Sequence, residues 1–151
     1  MKPKTLLLNF FVCVFCLALI GCQPSSTRDS VRKSDLVGTR WTLIELTRNS
    51  EVLPIEQNGE YSLEFRDEQI GGRTGCNNYR AGWRLGGDGR FALSGPVATT
   101  NVGCLPAVID LGHSYISVLE NGHTIVLDQD ILIISSTEGQ LVFQDDKGQP
   151  K

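Results

Sequence analysis

Apolar and polar residues alternate over several short segments of the chain, which is the pattern of β-strands buried on one face. Tyr61, Leu63 and Phe65 alternate with Ser62 and Glu64, and this period of two indicates a half-buried strand. Further strands are predicted over residues 38–46, 80–85, 90–93, 123–127, 131–135 and 140–143. Only short turns separate the last three, so antiparallel hairpins are expected there.

The glycine-rich tetrapeptide Gly86-Gly87-Asp88-Gly89 lies between two of the predicted strands. It indicates a hairpin loop, because glycine readily adopts the backbone angles of tight turns. A phosphate-binding loop is the alternative interpretation. That motif requires a following lysine and a helix, and neither pattern occurs here.

Residues 104–121 have the spacing of an amphipathic helix instead. Apolar or small residues recur every three or four positions: Leu105, Val108, Gly112, Tyr115, Ile116 and Leu119. Pro106 suits a first helical turn, and Asn121-Gly122 is typical of a helix end. The prediction is a mainly β (α+β) fold: a small antiparallel β-sheet or barrel-like domain with one packed amphipathic helix.

The N-terminus has the pattern of an export signal. Lys2 and Lys4 precede an apolar run over residues 6–20 that only Asn9 interrupts, and such a run indicates a secretory signal peptide. It is shorter than the roughly 20 residues of a membrane-spanning helix. The run ends in Leu19-Ile20-Gly21-Cys22, which resembles the lipobox of bacterial lipoproteins. Cleavage before Cys22 and its acylation, with palmitate among the acyl groups, are therefore expected; an ordinary signal peptide is the alternative.

Four regions are predicted. Residues 1–21 are the signal peptide, residues 22–35 a lipidated flexible tether, residues 36–145 the folded domain and residues 146–151 a polar tail. The tether is inferred because residues 23–33 are polar and offer little to bury. Gln23 follows the lipidated cysteine, and enteric-type sorting would then send the protein to the periplasmic face of the outer membrane.

Charge limits the range of partners. Cleavage would remove two of the 14 basic side chains and none of the 17 acidic ones, so the mature chain would be acidic. No basic block is present, and nucleic acid is therefore a poor candidate partner. The expected partners are the membrane, through the lipid anchor, and an unknown envelope protein or ligand.

The five cysteines separate by position. Cys13 and Cys16 lie in the apolar run, and Cys22 would carry lipid. Cys76 and Cys104 remain, and two cysteines in an exported domain suggest one disulfide. Two buried free thiols, a reactive thiol or a pair of metal ligands are the alternatives.

Three motifs in order resemble the META domain family, which includes heat-inducible envelope proteins of the HslJ type. They are Leu36-x-Gly38-Thr39-x-Trp41-x-Leu43, Gly75-Cys76-Asn77-Asn78-Tyr79 and Thr100-x-x-Gly103-Cys104. The resemblance covers about residues 36–143. It implies a compact β-rich fold with one helix and, depending on the member, a role in heat or antibiotic stress, motility or virulence. It supplies no catalytic activity and no cofactor that could be carried over to this chain.

The chain departs from the family pattern at several positions: Ala81, Trp83, Val102, Gly103 and Gly112. The last replaces a frequent glutamate and removes any role of that acid. The signature residues are interpreted as structural. Gly75 suits a positive φ or a close approach, Asn77 a local turn, and Tyr79 a packed ring with a bonded hydroxyl.

A non-catalytic binding or stress-support module is the favoured function, because no catalytic constellation or metal site stands out. Arg73, Arg80, Trp83 and Arg84 lie near the signature and are the candidate contact residues. The competing interpretation places Trp83 in the core and the arginines on a solvated edge.

Two other functions are weaker. Asp110, His113 and Ser114 have the residue types of a hydrolase triad, but adjacent helical side chains do not face one another. His113 and His123 are too few for a zinc site by themselves. An inhibitor of an envelope hydrolase is the other alternative, with Leu53-Pro54-Ile55 as its inhibitory loop.

Overall fold

Ten strands and two α-helices build the part of the chain that the structure, a computed structural model, describes: residues 30–148. In chain order they are α1 (Lys33–Leu36), β1 (Arg40–Arg48), β2 (Glu51–Leu53), β3 (Glu60–Phe65), β4 (Gln69–Gly75), β5 (Asn77–Leu85), β6 (Phe91–Leu93), β7 (Ala98–Thr99), α2 (Pro106–Glu120), β8 (Gly122–Asp128), β9 (Ile131–Ser136) and β10 (Gly139–Asp145). A 3-10 helix, Asp146–Gly148, follows β10.

The strands form one antiparallel sheet in the order β6-β5-β4-β3-β1-β10-β9-β8, with β2 paired to β1 and β7 paired to β5. The two ends of this order approach each other. Arg90 and Thr124 form an isolated bridge, and the Ile125 N–H donates to the Gly89 carbonyl at 3.1 Å. The sheet is therefore a nearly closed barrel, which confirms the predicted mainly β fold.

The core lies inside this barrel, and alternation along the strands sets it. Trp41, Leu43 and Leu46 of β1 all point inward although the last two are three positions apart. A bulge between Leu43 and Glu45 explains this, because the extra residue shifts the register against β10. Facing strands contribute further fully buried side chains: Leu63, Phe65, Ile70, Leu132, Ile134, Leu141 and Phe143.

Helix α2 confirms the predicted amphipathic helix and packs against the sheet along one face. Its buried residues are Val108, Leu111, Gly112, Ser114, Tyr115, Val118 and Leu119. Gly112 faces β4 so closely that an added Cβ would lie 2.8 Å from the Thr74 carbonyl oxygen. Glycine at this departure from the family pattern therefore allows close helix packing. Within residues 30–148, neither helix has the length and hydrophobicity that a membrane span requires.

The ends of the folded domain differ from the prediction. Val31 is buried against the core, and α1 begins at Lys33, so residues 31–35 belong to the domain rather than to the predicted tether. The start of the predicted polar tail is also ordered, since the Thr42 hydroxyl donates to the Asp146 carboxylate at 2.5 Å. The predicted signal peptide and residues 22–29 lie outside the described residues.

Candidate functional site

Gly75 ends β4 at the point where the family signature meets α2. Its φ is +82°, and an added Cβ would lie 2.3 Å from Cγ1 of Val108. Only glycine satisfies both conditions, because other residues rarely adopt this φ and any side chain would collide with the helix. The first signature position therefore sets how closely the turn between β4 and β5 approaches α2.

Cys76 and Cys104 form a disulfide across 28 positions of sequence, which confirms the predicted pairing. The bond joins the β4–β5 turn to the residues that precede α2. Both cysteines are half-buried beside the core. The thiol and metal-pair alternatives therefore do not describe this structure.

Asn77 reaches across the structure rather than holding a local turn, so that part of the prediction is wrong. Its Oδ1 accepts hydrogen bonds from the Thr100 hydroxyl at 3.0 Å and from the Val102 N–H at 2.7 Å. Thr100 Oγ1 in turn accepts from the Asn78 N–H at 3.0 Å. The second and third motifs thus hold each other, and the disulfide reinforces the same junction.

Tyr79 and Tyr115 fill a gap in the sheet. The β3–β4 pairing is interrupted opposite Ser62, and the Ser62 carbonyl lies 3.1 Å from each tyrosine hydroxyl. The two hydroxyls are 2.7 Å apart. Both side chains are buried, and burial raises the pKa of each phenol well above its usual value. Each hydroxyl therefore keeps its proton, and together they satisfy a carbonyl that the ladder leaves unpaired.

This network gives a testable coupling. Tyr79→Phe and Tyr115→Phe are each expected to lower the free energy of unfolding by about 1 kcal/mol, because the remaining hydroxyl still donates to Ser62. The double variant is expected to lose more than the sum of the two, since the buried carbonyl then has no donor. Urea unfolding of the wild-type protein, the two single variants and the double variant measures these differences. If the two single losses in free energy of unfolding simply added up in the double variant, the two hydroxyls would not be sharing the Ser62 carbonyl as their acceptor.

The first motif also serves the fold. Trp41 is buried, and its Nε1 donates to the Thr39 hydroxyl at 2.7 Å, which itself donates to the Leu36 carbonyl at 2.5 Å. Gly38 has a φ of +85° and donates its N–H to the Phe65 carbonyl at 2.8 Å. These contacts fix the passage from α1 into β1.

The four candidate contact residues separate into two groups. Trp83 is a core residue: it is buried, its ring lies 4.9 Å from that of Phe65, and its Nε1 donates to the Arg66 carbonyl at 2.9 Å. Arg80 and Arg84 are exposed and Arg73 is half-buried. Sequence reasoning thus grouped a core residue with three surface arginines.

A polar cleft of about 360 Å³ opens on the outer face of β3, β4 and β5. Phe65, Ile70 and Ala81 pair across these strands and are buried. The adjacent row therefore points outward, since side chains alternate between the two faces. That row contains Glu64, Gly71 and Arg80. Four arginines line the cleft: Arg40, Arg66, Arg73 and Arg80.

Arg40 forms ion pairs with one acid that lines this cleft, Glu64, and with two that do not line it. Its guanidinium contacts Glu60 at 2.7 Å, Glu64 at 2.7 Å and Asp146 at 3.0 Å. The cleft lining thus contains four arginines and one carboxylate, and even with Glu60 and Asp146 included the region is positive within an acidic chain. Sequence reasoning missed Arg40 and Arg66, because only the strand register brings them beside Arg73 and Arg80.

Asp110, His113 and Ser114, which have the residue types of a hydrolase triad, are not arranged as a triad. The Ser114 hydroxyl donates to the Asp110 backbone carbonyl at 3.0 Å, one helical turn away. His113 is exposed on the same helix. Among residues 30–148, no group of three histidine, cysteine, aspartate or glutamate side chains is placed to hold a metal ion.

The candidate inhibitory loop, Leu53-Pro54-Ile55, is packed against the domain and does not protrude into solvent. Leu53 and Ile55 pack against the core, and only Pro54 between them is exposed. An inhibitor needs an exposed loop to insert into its target. The structure therefore adds no support to this alternative. Cys22, the predicted lipidation site, lies outside the described residues.

A barrel-like antiparallel sheet, one helix packed on it and a disulfide at their junction define a class of small β-domain. The sequence profile of the META domain matches residues 34–148. The chain therefore belongs to the META domain family. No curated protein matches the sequence significantly.

Solved structures show the same fold. An NMR structure of a protein from Burkholderia xenovorans superposes with a TM-score of 0.66 at 17% identity, covering 76% of this chain and 86% of that one. A second NMR structure gives 0.59 at 20% identity, with 76% and 94% covered. The crystal structure of a DUF4847 family protein from Bacteroides vulgatus gives 0.54 at 12% identity, with 78% and 99% covered.

Proposed function

We propose that the protein is a non-catalytic lipoprotein of the cell envelope, whose META domain binds a ligand or partner while Cys22 holds it at the membrane. The observation that carries the binding role is the open cleft on the outer sheet face. The signature residues all serve the fold, whereas Arg80 of the cleft is exposed and forms no ion pair or side-chain hydrogen bond within residues 30–148.

The anchor rests on the sequence. Gly21-Cys22 follows directly on the apolar run, and several acyl chains hold a protein stably at a membrane where one chain does not. Eight residues separate Cys22 from the buried Val31. Even fully extended, this segment spans at most about 30 Å. The domain would thus meet partners close to the membrane, at the periplasmic face of the outer membrane if sorting follows the enteric type.

The absence of catalysis is part of the proposal. Ser114 donates its hydroxyl to the helix backbone, and His113 lies beside it in sequence rather than facing it. A nucleophile needs a base within hydrogen-bond reach, and this pair does not supply that geometry. The resemblance to heat-inducible members of the family supports a role in envelope stress.

Acylation tests the anchor. Cys22→Ser is expected to abolish incorporation of labelled palmitate and to leave residues 1–21 attached, because the cysteine sulfur is the lipid acceptor and cleavage follows lipidation. Gel fluorography and intact mass measure the two effects. Cys16→Ser is the matched control, since it changes a cysteine of the apolar run and should leave both unchanged. Palmitate incorporation that survives Cys22→Ser would refute the anchor.

A further inference from the structure

Arg73 and Arg80 lie on the same outer face of the sheet as diagonal neighbours. Arg73 of β4 pairs with Asn78 of β5, and Gly71, two positions before Arg73, pairs with Arg80, two positions after Asn78. Diagonal neighbours are about 7–8 Å apart, within reach of long side chains. Two guanidinium groups can therefore converge on one group held between them.

Gly71 keeps this part of the cleft free of side chains. It stands opposite Arg80, where most residues would place a side chain against the arginine. An added Cβ would lie 2.9 Å from the Tyr79 carbonyl oxygen, so the close approach of the strands also requires glycine. The floor beside Arg80 is therefore bare backbone, open to a ligand.

Arg80 has no ionic partner among residues 30–148, and Arg73 has one, Glu60, which it shares with Arg40. Arg40 holds Glu60 and Glu64 by short contacts, and the Arg73 Nε, 3.2 Å from Glu60, is buried with no hydrogen-bond partner. Within residues 30–148, Arg80 forms no ion pair, and neither side chain donates a hydrogen bond. The contact of Arg73 Nε with Glu60 is thus an ion pair without an aligned hydrogen bond. A ligand that accepts hydrogen bonds from Arg73 would add an interaction that the domain does not supply.

We propose that this cleft binds an oxyanion, a carboxylate or phosphate group, between Arg73 and Arg80. The planar guanidinium fork matches both groups and binds them with paired hydrogen bonds. The volume of about 360 Å³ is at the lower end of small-ligand sites. This inference rests on the proposed binding function and names the ligand class of its cleft.

The test is a titration of the full chain, purified in neutral detergent, with citrate and with inorganic phosphate, followed by calorimetry. Saturable binding is expected, and Arg80→Gln is expected to weaken it about tenfold or more, because charge-assisted hydrogen bonds are lost. Arg84→Gln is the matched control. It removes the same charge from the same strand and face, outside the cleft, and should change affinity less than about twofold.

Two results would overturn the site: no saturable binding of either probe, or equal losses in Arg80→Gln and Arg84→Gln, which would mean diffuse attraction to charge. Thermal unfolding should be unchanged in both variants, since both arginines are exposed. Repeating the citrate titration in micelles doped with phosphatidylglycerol identifies the source of the oxyanion. Competition would assign it to a lipid headgroup, and unchanged affinity to a soluble ligand.

The two proposals fail separately. A chain that is acylated at Cys22 but binds neither probe keeps the anchor and loses the oxyanion site. A chain that binds citrate through Arg80 but carries no acyl group keeps the oxyanion site and loses the anchor.

Discussion

Replacing Cys76 and Cys104 together by alanine is expected to lower the free energy of unfolding by about 3–4 kcal/mol, as chain entropy predicts for a closed loop of this size. The bond spans 28 positions and joins the β4–β5 turn to the start of α2. Without it, the unfolded chain gains the freedom of that loop. A small domain has only about 5–15 kcal/mol of stability in total, so the loss is a large share.

Urea unfolding, with the slope of the transition checked, measures this loss. The matched comparison is the wild-type chain reduced with dithiothreitol, which should lose a similar amount because it lacks the same bond. If the double variant lost less than about 1 kcal/mol, the hydrogen bonds of Asn77 and Thr100 would hold the junction by themselves. The disulfide would then have no substantial structural role.

Gly75→Ala is expected to cost about 3 kcal/mol. A positive φ of this kind costs a non-glycine residue about 1–2 kcal/mol, and forcing a methyl group into a packed region costs about 1–3 kcal/mol more. The added Cβ would lie 2.3 Å from Val108. Either α2 or the β4–β5 turn must then move.

Gly103→Ala is the control for this variant. Gly103 is exposed, lies in the same disulfide-linked region and has nothing within 4 Å of an added Cβ. Its substitution should leave stability within about 0.5 kcal/mol, or raise it slightly by restricting the unfolded chain. Equal thermal stability of the two alanine variants would show that the close approach at Gly75 is unimportant.

Gly75→Ala and removal of the disulfide act on the same junction, so their effects on the free energy of unfolding should not be additive. Gly75 and Cys76 are adjacent, and both position the β4–β5 turn against α2. If the disulfide holds this turn in place, its removal lets the turn move away from Val108. The cost of Gly75→Ala should then be smaller in the chain without the disulfide.

Regular patterns could be read from the sequence. The alternation in Tyr61–Phe65 predicted β3, and the spacing in residues 104–121 predicted α2. The tetrapeptide Gly86–Gly89 forms the predicted hairpin loop between β5 and β6, where the Gly86 N–H donates to the Arg90 carbonyl at 2.8 Å. In each case the signal lies within a few neighbouring residues: one buried face determines β3 and α2, and the glycines determine the loop.

Features that depend on partners distant in sequence could not be read in this way. Strand β4 contains Gly71, Gly72 and Gly75 and shows no clear alternation; it is a strand because β3 and β5 pair with it on both sides. The contact of Arg40 with Asp146 joins the two ends of the domain. Trp83 and the neighbouring arginines Arg80 and Arg84 lie on opposite faces of β5, and alternation along the predicted strand was sufficient to separate them.

We propose an exported chain that is acylated at Cys22 and whose META domain carries one disulfide. Intact mass of the protein from its native-type envelope, alkylated with and without prior reduction, tests it most directly. The predicted result is a chain that begins at Cys22, carries acyl groups and takes up label at Cys76 and Cys104 only after reduction. A chain without acyl groups, or labelling of both cysteines without reduction, would contradict it.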